Sequence, residues 1–230
     1  MLLAVTVLCL WLALHMRATD RQRTAVAWLR GAAAQCYYDY QLRKDGMTYA
    51  TLPPPGPAWL RDWLGIDHFA TVDCVVLWDQ NCVGEALPHI QQLKGCRQLF
   101  LQFQRPTDMT SEDLARLATL KQLRLLLVQL PADADRLLAG LVPLKNLESL
   151  SIAGKTKITD AGLISLAELK SLRHLDALIG FAITETNLTH LRKLIKLREL
   201  DLCDSDVSES DVAQIQNALP NCKIVRSGAP

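Results

Sequence analysis

Apolar residues recur along this chain at a fixed spacing of three, three and two residues. The clearest copy consists of Leu144, Leu147, Leu150 and Ile152. The spacing recurs at six further places, whose last apolar positions are Leu77, Leu101, Val128, Ala177, Leu202 and Ile224; the match is looser in the copy that ends at Leu77 and only partial in the copy that ends at Ile224. Neighbouring copies lie 22 to 27 residues apart, so the chain contains an internal repeat.

A second motif accompanies most copies. It has an apolar residue, a short polar run rich in hydroxyl and acidic residues, and a second apolar residue, and it occupies 82–87, 109–114, 158–163, 183–188 and 207–212. Hydroxyl and carboxylate groups are typical of a helix start because they accept the free N–H groups of the first turn. Leu163, Leu166 and Leu169 then continue at helical spacing. The segment 129–140 lacks this motif and contains Pro131, which indicates a remodelled turn.

Each repeat unit is therefore predicted to contain one strand and one short helix. The alternation Leu150-Ser151-Ile152 is typical of a strand with one buried face. A single unit cannot bury its own leucines, whereas stacked units share a continuous core. Strands stack about 4.8 Å apart and helices about 10 Å apart, so the stack should curve with the strands inside. The expected fold is an α/β solenoid.

The segment "LKNLESLSIAGKTKITDAGLISLAELKSLRHL" resembles the leucine-rich repeat family, and specifically the bacterial type with a "TDAGL" motif in its coils. The resemblance covers residues 69–225. It implies a leucine-rich repeat solenoid. The chain departs from the family pattern at Cys82, Cys96, Ala177, Cys222 and the segment 129–140.

Residues 1–16 are apolar apart from Thr6 and His15. As a helix they would span about 24 Å, which is slightly short of the ~30 Å hydrocarbon core of a bilayer. Basic residues follow the run at Arg17, Arg21 and Arg23. They favour an uncleaved single-pass anchor that is formed by residues 1–18, with the repeats in the cytoplasm. A cleaved signal peptide and a buried helix are the alternatives.

The segment 19–68 is predicted to form an N-terminal cap region. The pattern predicts a helix over 19–34 and a strand in "QCYYDYQ", and the prolines at 53–57 interrupt regular structure. A short helix carrying Trp59 and Trp63 should follow and cover the open end of the first coil. Anchored bacterial proteins of the resembled type have similar segments before their repeats. Residues 226–230 form a tail.

Composition and charge limit the classes of function that the chain can have. The chain has 230 residues, is 50% apolar and carries a net charge of +1, which is typical of a globular protein. Its basic residues are scattered, so no nucleic-acid partner is expected. The seven cysteines form no C-x-x-C pair, so a disulfide scaffold is not expected. The register predicts a core position for Cys96 and Cys222 and an outward position for Cys74 and Cys203.

Candidate nucleotide and metal sites do not match their required patterns. Gly154-Lys-Thr is not a phosphate-binding loop, because Ser149 stands where the leading glycine is needed. The acidic run 201–211 is not an EF-hand, since Glu209 and Ile215 occupy the glycine and glutamate positions. We therefore expect no cofactor and no metal.

Catalytic and modification motifs are equally incomplete. His174, His190 and Cys203 share no ligand spacing for zinc, and no serine lies in a Gly-x-Ser-x-Gly turn. The sequon at Asn187 falls in a helix-start motif and is interpreted as structure. The chain is therefore predicted to be non-catalytic, with no small-molecule substrate evident.

The residues between the buried strand positions should point into the concave face of the solenoid, where binding would occur. The candidate partner-binding residues are Val76, Trp78, Phe100, Leu125, Leu127, His174, Asp176, Glu199 and Asp201. The first five form an apolar patch, which is typical of a protein-contact surface. Alternatively, the N-terminal tyrosine strand folds over this patch and buries it.

The favoured function is a membrane-anchored module that binds a protein or peptide. A structural spacer is the main alternative and a hydrolase a distant one.

Overall fold

The structure is a computed structural model that describes residues 2–42, 52–79, 82–102, 109–129, 133–153, 158–177, 184–202 and 208–225. The helices are α1 (Leu2–Gly31), α2 (Ala58–Leu64), α3 (Val83–Ile90), α4 (Ser111–Leu117), α5 (Ala134–Leu141), α6 (Asp160–Leu166), α7 (Glu185–Leu191) and α8 (Glu209–Ala218). The strands are β1 (Gln35–Tyr38), β2 (Val72–Leu77), β3 (Gln98–Leu101), β4 (Leu125–Gln129), β5 (Ser149–Ala153), β6 (His174–Ala177), β7 (Glu199–Asp201) and β8 (Lys223–Val225). Two 3₁₀ helices span Asp39–Gln41 and Ile66–His68.

The strands lie side by side in chain order in one sheet, and β2 to β8 are parallel. The register follows the repeat: Leu101 pairs with Val128, Val128 with Ile152, and Ile152 with Ala177. Equivalent residues of successive coils are therefore direct neighbours across the sheet. The predicted leucine-rich repeat solenoid is confirmed.

The leucines of the repeat form one continuous core between the sheet and the row of helices. Leu126 and Leu150 have no exposed surface, and Leu175 is 2% exposed. Each fully buried leucine contributes about 1.5–3 kcal/mol through the area it removes from water. Because no coil encloses its own leucines, this stabilisation depends on the neighbouring coils.

The helix starts also follow the sequence motif. Thr110, Thr159, Thr184 and Ser208 each accept a backbone N–H from the first turn of the helix that they precede. The segment 129–140 still supplies a helix, α5, whose start is capped by Asp133. The predicted remodelled turn around Pro131 lies outside the described residues.

The N-terminal cap is built differently from the prediction. Ala25, Val26 and Leu29 of α1 are buried in the same core as the repeats, and the Trp28 ring stacks on His89 of α3 at a centroid distance of 4.2 Å. The predicted capping role of Trp59 and Trp63 is wrong, because these side chains are 70% and 78% exposed. The second half of α1 already covers the first coil, so the tryptophans have no core to enter.

Polar contacts fix the cap onto the first coil. Gln22 donates hydrogen bonds from Nε2 to Asp67 Oδ1 at 2.8 Å and to the Ala70 carbonyl at 2.9 Å. The Tyr38 hydroxyl donates to the same Asp67 oxygen at 3.0 Å. Thr19 contacts His68 Nε2 at 3.3 Å through its hydroxyl. One face of α1 is thereby joined to β1 and to the 3₁₀ helix that precedes β2.

The first half of α1 extends away from this packed region. Val7, Leu10, Leu14 and Met16 are each more than half exposed. The helix runs without interruption from this apolar segment into the cap. In the part of the chain that the structure describes, no helix combines the length and apolar character that a membrane crossing requires. The structure therefore gives no support to the predicted single-pass anchor.

Candidate binding face of the sheet

The concave face is defined here as the face of the sheet that points away from the helices. In-register residues form two rows across it. The first row is Cys74, Gln98, Leu125, Ser149, His174, Glu199 and Lys223, and the second row is Val76, Phe100, Leu127, Ser151, Asp176, Asp201 and Val225. Trp78 follows β2 directly. The rows change from apolar to charged along the solenoid.

The apolar end is formed by side chains from three neighbouring coils. Phe100, Leu125 and Leu127 are partly exposed, and Trp78 is 49% exposed. Phe100, Leu125 and Leu127 occupy outward positions because they alternate with the buried residues of β3 and β4. Trp78 follows Val76 at the same alternation, one residue beyond the end of β2. The structure thus presents four of the five predicted apolar residues on one accessible surface.

Val76 differs from the expected exposure. It lies in the predicted row but is only 4% exposed, and Cys74 beside it is fully buried. The reason is β1, which pairs antiparallel with the outer edge of β2 and places Gln35 opposite Val76 and Tyr37 opposite Cys74. The tyrosine strand therefore extends the sheet and does not fold over the patch. Val76 and Cys74 keep the predicted register on this face, but their predicted accessibility is wrong.

The acidic end centres on Asp176 and Asp201, which are in register on β6 and β7. Ser151 on β5 donates a hydrogen bond to Asp176 Oδ2 at 2.7 Å. The other carboxylate oxygen, Oδ1, is buried and has no hydrogen-bond partner within the described part of the chain. Desolvation is the largest cause that raises the pKa of Asp176; the negative charge of Asp201 raises it further, and the Ser151 hydrogen bond opposes the shift.

Glu199 interacts with basic side chains of the neighbouring strands. Its carboxylate lies 3.0 Å from the Lys223 ammonium and 3.4 Å from His174 Nδ1. The hydrogen bond from Lys223 is the main reason why the pKa of Glu199 is lowered. Glu199 therefore presents a partly neutralised carboxylate. The sequence analysis missed Lys223, although the repeat register places it in the same row as His174 and Glu199.

The buried cysteines that the structure describes are poor nucleophiles. Burial raises the pKa of Cys74 to about 12 and that of Cys36 to about 11. Cys96 and Cys222 are buried, as the register predicts. Cys203 and the side chain of Cys9 lie outside the described residues. The raised pKa of the buried thiols Cys36, Cys74, Cys96 and Cys222 disfavours their reactive thiolate form.

The described residues give little support to a metal site or a modification site. Among the residues that the structure describes, no group of three or more His, Cys, Asp or Glu side chains is placed to hold a metal ion. Gly154 and residues 203–207 of the acidic run lie outside the described residues. Asn187 of the sequon is 1% exposed. Burial of Asn187 agrees with its interpretation as a structural residue.

Two solved structures are similar to this chain at low sequence identity. A leucine-rich repeat protein of Leptospira interrogans is 20% identical, and the match covers 60% of this chain and 33% of that protein with a TM-score of 0.42. An internalin of Listeria monocytogenes is 16% identical, and the match covers 61% of this chain and 50% of that protein with a TM-score of 0.41. The chain spans between a third and a half of these proteins. No family model and no curated protein matches the chain.

The fold and the face together define a class of protein. The chain is a leucine-rich repeat solenoid with an α-helical N-terminal cap. Its concave face carries an apolar region beside an acidic region, separated by the small side chains of Ser149 and Ser151. This assignment of the fold rests on the register of the chain's own strands.

Proposed function

We propose that the chain is a non-catalytic module that binds a protein or peptide through the concave face. The observation that carries the proposal is the row Phe100, Leu127, Ser151, Asp176 and Asp201, which places accessible apolar and acidic side chains in a single line across five strands. A polypeptide with an apolar residue and a basic residue on the same side is the complementary partner.

The apolar end would supply most of the affinity. Large aromatic side chains dominate the binding energy of protein interfaces, and Trp78 and Phe100 are the aromatic residues of this surface. Leu125 and Leu127 extend the same apolar area toward the middle of the sheet. Val76 is left out of the proposed contact surface because it is buried.

The acidic end would select the partner. Asp176 and Asp201 are in register on neighbouring parallel strands, about 4.8 Å apart between backbones, so the two residues form one acidic area. Both side chains are partly exposed, so a lysine or arginine of the partner can reach them. Such a residue donates hydrogen bonds and supplies a compensating charge. Glu199 contributes less, because Lys223 already pairs with it.

Attachment to a membrane through residues 1–16, with the repeats in the cytoplasm, is a separate part of the proposal. Its support is the apolar run in the sequence and the arginines that follow it. Carbonate extraction of cell membranes tests the attachment, and protease protection tests the side on which the repeats lie.

Site-specific photo-crosslinking tests the binding proposal. A benzoylphenylalanine placed at Leu127 should crosslink to a discrete partner in cells, whereas the same group at the exposed position Ile195 should not. The Leu127 crosslink should disappear when Asp201→Lys or Trp78→Ala is added, since both side chains lie on the proposed surface.

The control variant is Asp160→Lys, an exposed charge reversal at the start of α6, on the helix side of the solenoid. It should leave the Leu127 crosslink unchanged. If folded Trp78→Ala and Asp201→Lys proteins keep every crosslinked partner, the concave face is not the binding surface. A spacer role would then explain the chain better.

A further inference from the structure

The most exposed aromatic residues of the described chain lie in the cap region, away from the concave face. Trp59 and Trp63 of α2 are 70% and 78% exposed. They are four residues apart, so they project from the same side of the helix. Leu52, which precedes α2, is also 55% exposed. Such a cluster costs free energy in water unless it has a contact to make.

The position of α2 is restricted by the short connection between α2 and the 3₁₀ helix Ile66–His68, which contacts α1. The 3₁₀ helix Ile66–His68 begins immediately after α2 and Gly65. His68 contacts Thr19 at 3.3 Å, and its ring lies 6.2 Å from the His15 ring. Trp63 precedes His68 by five residues, so their Cα atoms are at most about 18 Å apart. The tryptophan helix is therefore tethered to the same 3₁₀ helix that contacts the turn of α1 with His15.

That turn of α1 is the point at which its apolar half ends. Val7, Leu10 and Leu14 before it are 60%, 62% and 56% exposed. The next turns carry the exposed cations Arg17, Arg21 and Arg23 and one exposed carboxylate, Asp20. Exposed apolar residues, tryptophans and a local excess of arginines thus lie on two helices that both adjoin the 3₁₀ helix Ile66–His68.

We propose that α2 and the first half of α1 together bind the surface of an anionic lipid bilayer. Tryptophan is favoured at the boundary between headgroups and acyl chains, because its ring is apolar and its N–H can donate to polar groups there. The exposed apolar residues of α1 enter the bilayer, and the arginines lie among the anionic headgroups. Contact with the bilayer surface suffices, and the proposal is independent of the concave-face proposal. It rests on the proposed membrane attachment for the first half of α1, and the role of α2 is what it adds.

Lipids explain this combination better than a protein partner or a second copy of the chain. The apolar residues of α1 lie on a projecting helix and those of α2 on a separate short helix, whereas a protein interface needs one closely complementary patch. A bilayer is deformable and accepts both. The arginines beside them match the charge of anionic headgroups.

Binding of the full chain to vesicles tests the proposal. Vesicles of phosphatidylcholine with phosphatidylglycerol should bind the protein more tightly than vesicles of phosphatidylcholine alone, and added salt should reduce the difference. The double variant Trp59→Ser/Trp63→Ser should partition about tenfold more weakly or worse, since it removes two large apolar side chains. Both positions are exposed, so this variant should fold normally.

The matched control is Ile195→Ser, which removes the most exposed of the large hydrophobic side chains in the described residues, at 82%, in a different part of the chain. It should bind vesicles as the wild type does. Brominated lipids supply a direct readout, because they quench only tryptophans that enter the bilayer. In a Trp11→Phe/Trp28→Phe/Trp78→Phe background, which retains Trp59 and Trp63, the remaining fluorescence should be quenched.

Three results would overturn the proposal. One is unchanged fluorescence in brominated vesicles to which the protein is bound. A second is equal partitioning of the double variant and the wild type, which would assign binding to α1 alone. A third is a dimer without vesicles that the double variant abolishes, which would make the tryptophans an interface between copies of the chain.

Discussion

Asp135 of α5 accepts a hydrogen bond from the backbone N–H of Thr159 at 2.9 Å, so a carboxylate of one coil satisfies the start of the next coil's helix. The Thr159 hydroxyl donates to the same carboxylate at 2.5 Å. Gly162 makes this contact possible, because a Cβ at that position would collide with Asp135 Oδ1 and lie 2.7 Å from Ile158 Cγ2. The glycine of the "TDAGL" motif therefore has a steric function between coils.

Replacement of this glycine should be costly. The variant Gly162→Ala should lower the free energy of unfolding by about 1–3 kcal/mol, because the methyl group overpacks the junction between α5 and α6. Urea unfolding followed by circular dichroism measures the change. The control is Gly31→Ala at the end of α1, where the added Cβ meets no atom within 4 Å. Equal stability of Gly162→Ala and wild type would contradict the steric role.

The shared core makes a second prediction. Leu150→Ala should destabilise the chain by about 2–5 kcal/mol, since it leaves a cavity between the coils of β4 and β6. Ile164→Ala on α6, where the side chain is 51% exposed, should change stability by less than about 0.5 kcal/mol. Thermal or urea unfolding of both variants provides the comparison. A small effect at Leu150 would mean that the coils do not share their leucines.

The pH dependence of stability should reveal the state of Asp176. A carboxyl group whose pKa is raised in the folded state stabilises the fold below its unfolded pKa, and this contribution is lost as the pH rises through the folded pKa. Asp176→Asn should therefore be more stable than wild type at pH 7, because the amide can still accept from Ser151 and carries no charge.

The advantage of Asp176→Asn should disappear near pH 3, below the ordinary Asp pKa of about 3.9. Urea midpoints at several pH values measure it, and Asp62→Asn on the exposed side of α2 serves as the control for charge removal. A wild-type protein that is the more stable of the two at pH 7 would show that the Asp176 carboxylate is stabilised in the fold.

Thiol reactivity should follow burial. Cys36, Cys74 and Cys96 are buried, and burial raises the pKa of each thiol. In the folded protein at pH 8 these thiols should stay unmodified by iodoacetamide over times in which Cys82, which is partly exposed, reacts. Mass spectrometry of tryptic peptides identifies the modified residues. Rapid modification of Cys74 would mean that β1 does not stay paired with β2.

The repeat itself was predictable because its leucines recur at a period that buries them only when the coils stack. The strand register, the helix starts and the outward rows all follow from that period. The burial of Val76 could not be predicted, because it depends on β1, a strand outside the repeat that pairs by backbone hydrogen bonds. The predicted cap region includes this helix, but its direct packing on the first coil could not be predicted for a related reason. Its apolar face was visible at Ala25 and Leu29, whereas the surface it covers is set by tertiary packing.

The acidic end of the concave face was predictable only in part. Asp176, Glu199 and Asp201 were found by their positions between buried residues. Their different states depend on neighbours in adjacent coils: Ser151 for Asp176, and Lys223 for Glu199. Both contacts join cross-strand neighbours, so they follow from the register of the repeat.

The central claim is that equivalent residues of successive coils are neighbours on one open face, and thiol crosslinking measures it most directly. In a Cys82→Ser background, the double variant Ser149→Cys/His174→Cys places two thiols on paired positions of β5 and β6, about 4.8 Å apart between backbones. Dibromobimane, a short reagent that becomes fluorescent when it joins two thiols, should link them. The variant Ser149→Cys/Glu199→Cys, two coils apart at about twice that spacing, should stay unlinked. A crosslink in the second variant and none in the first would contradict the account.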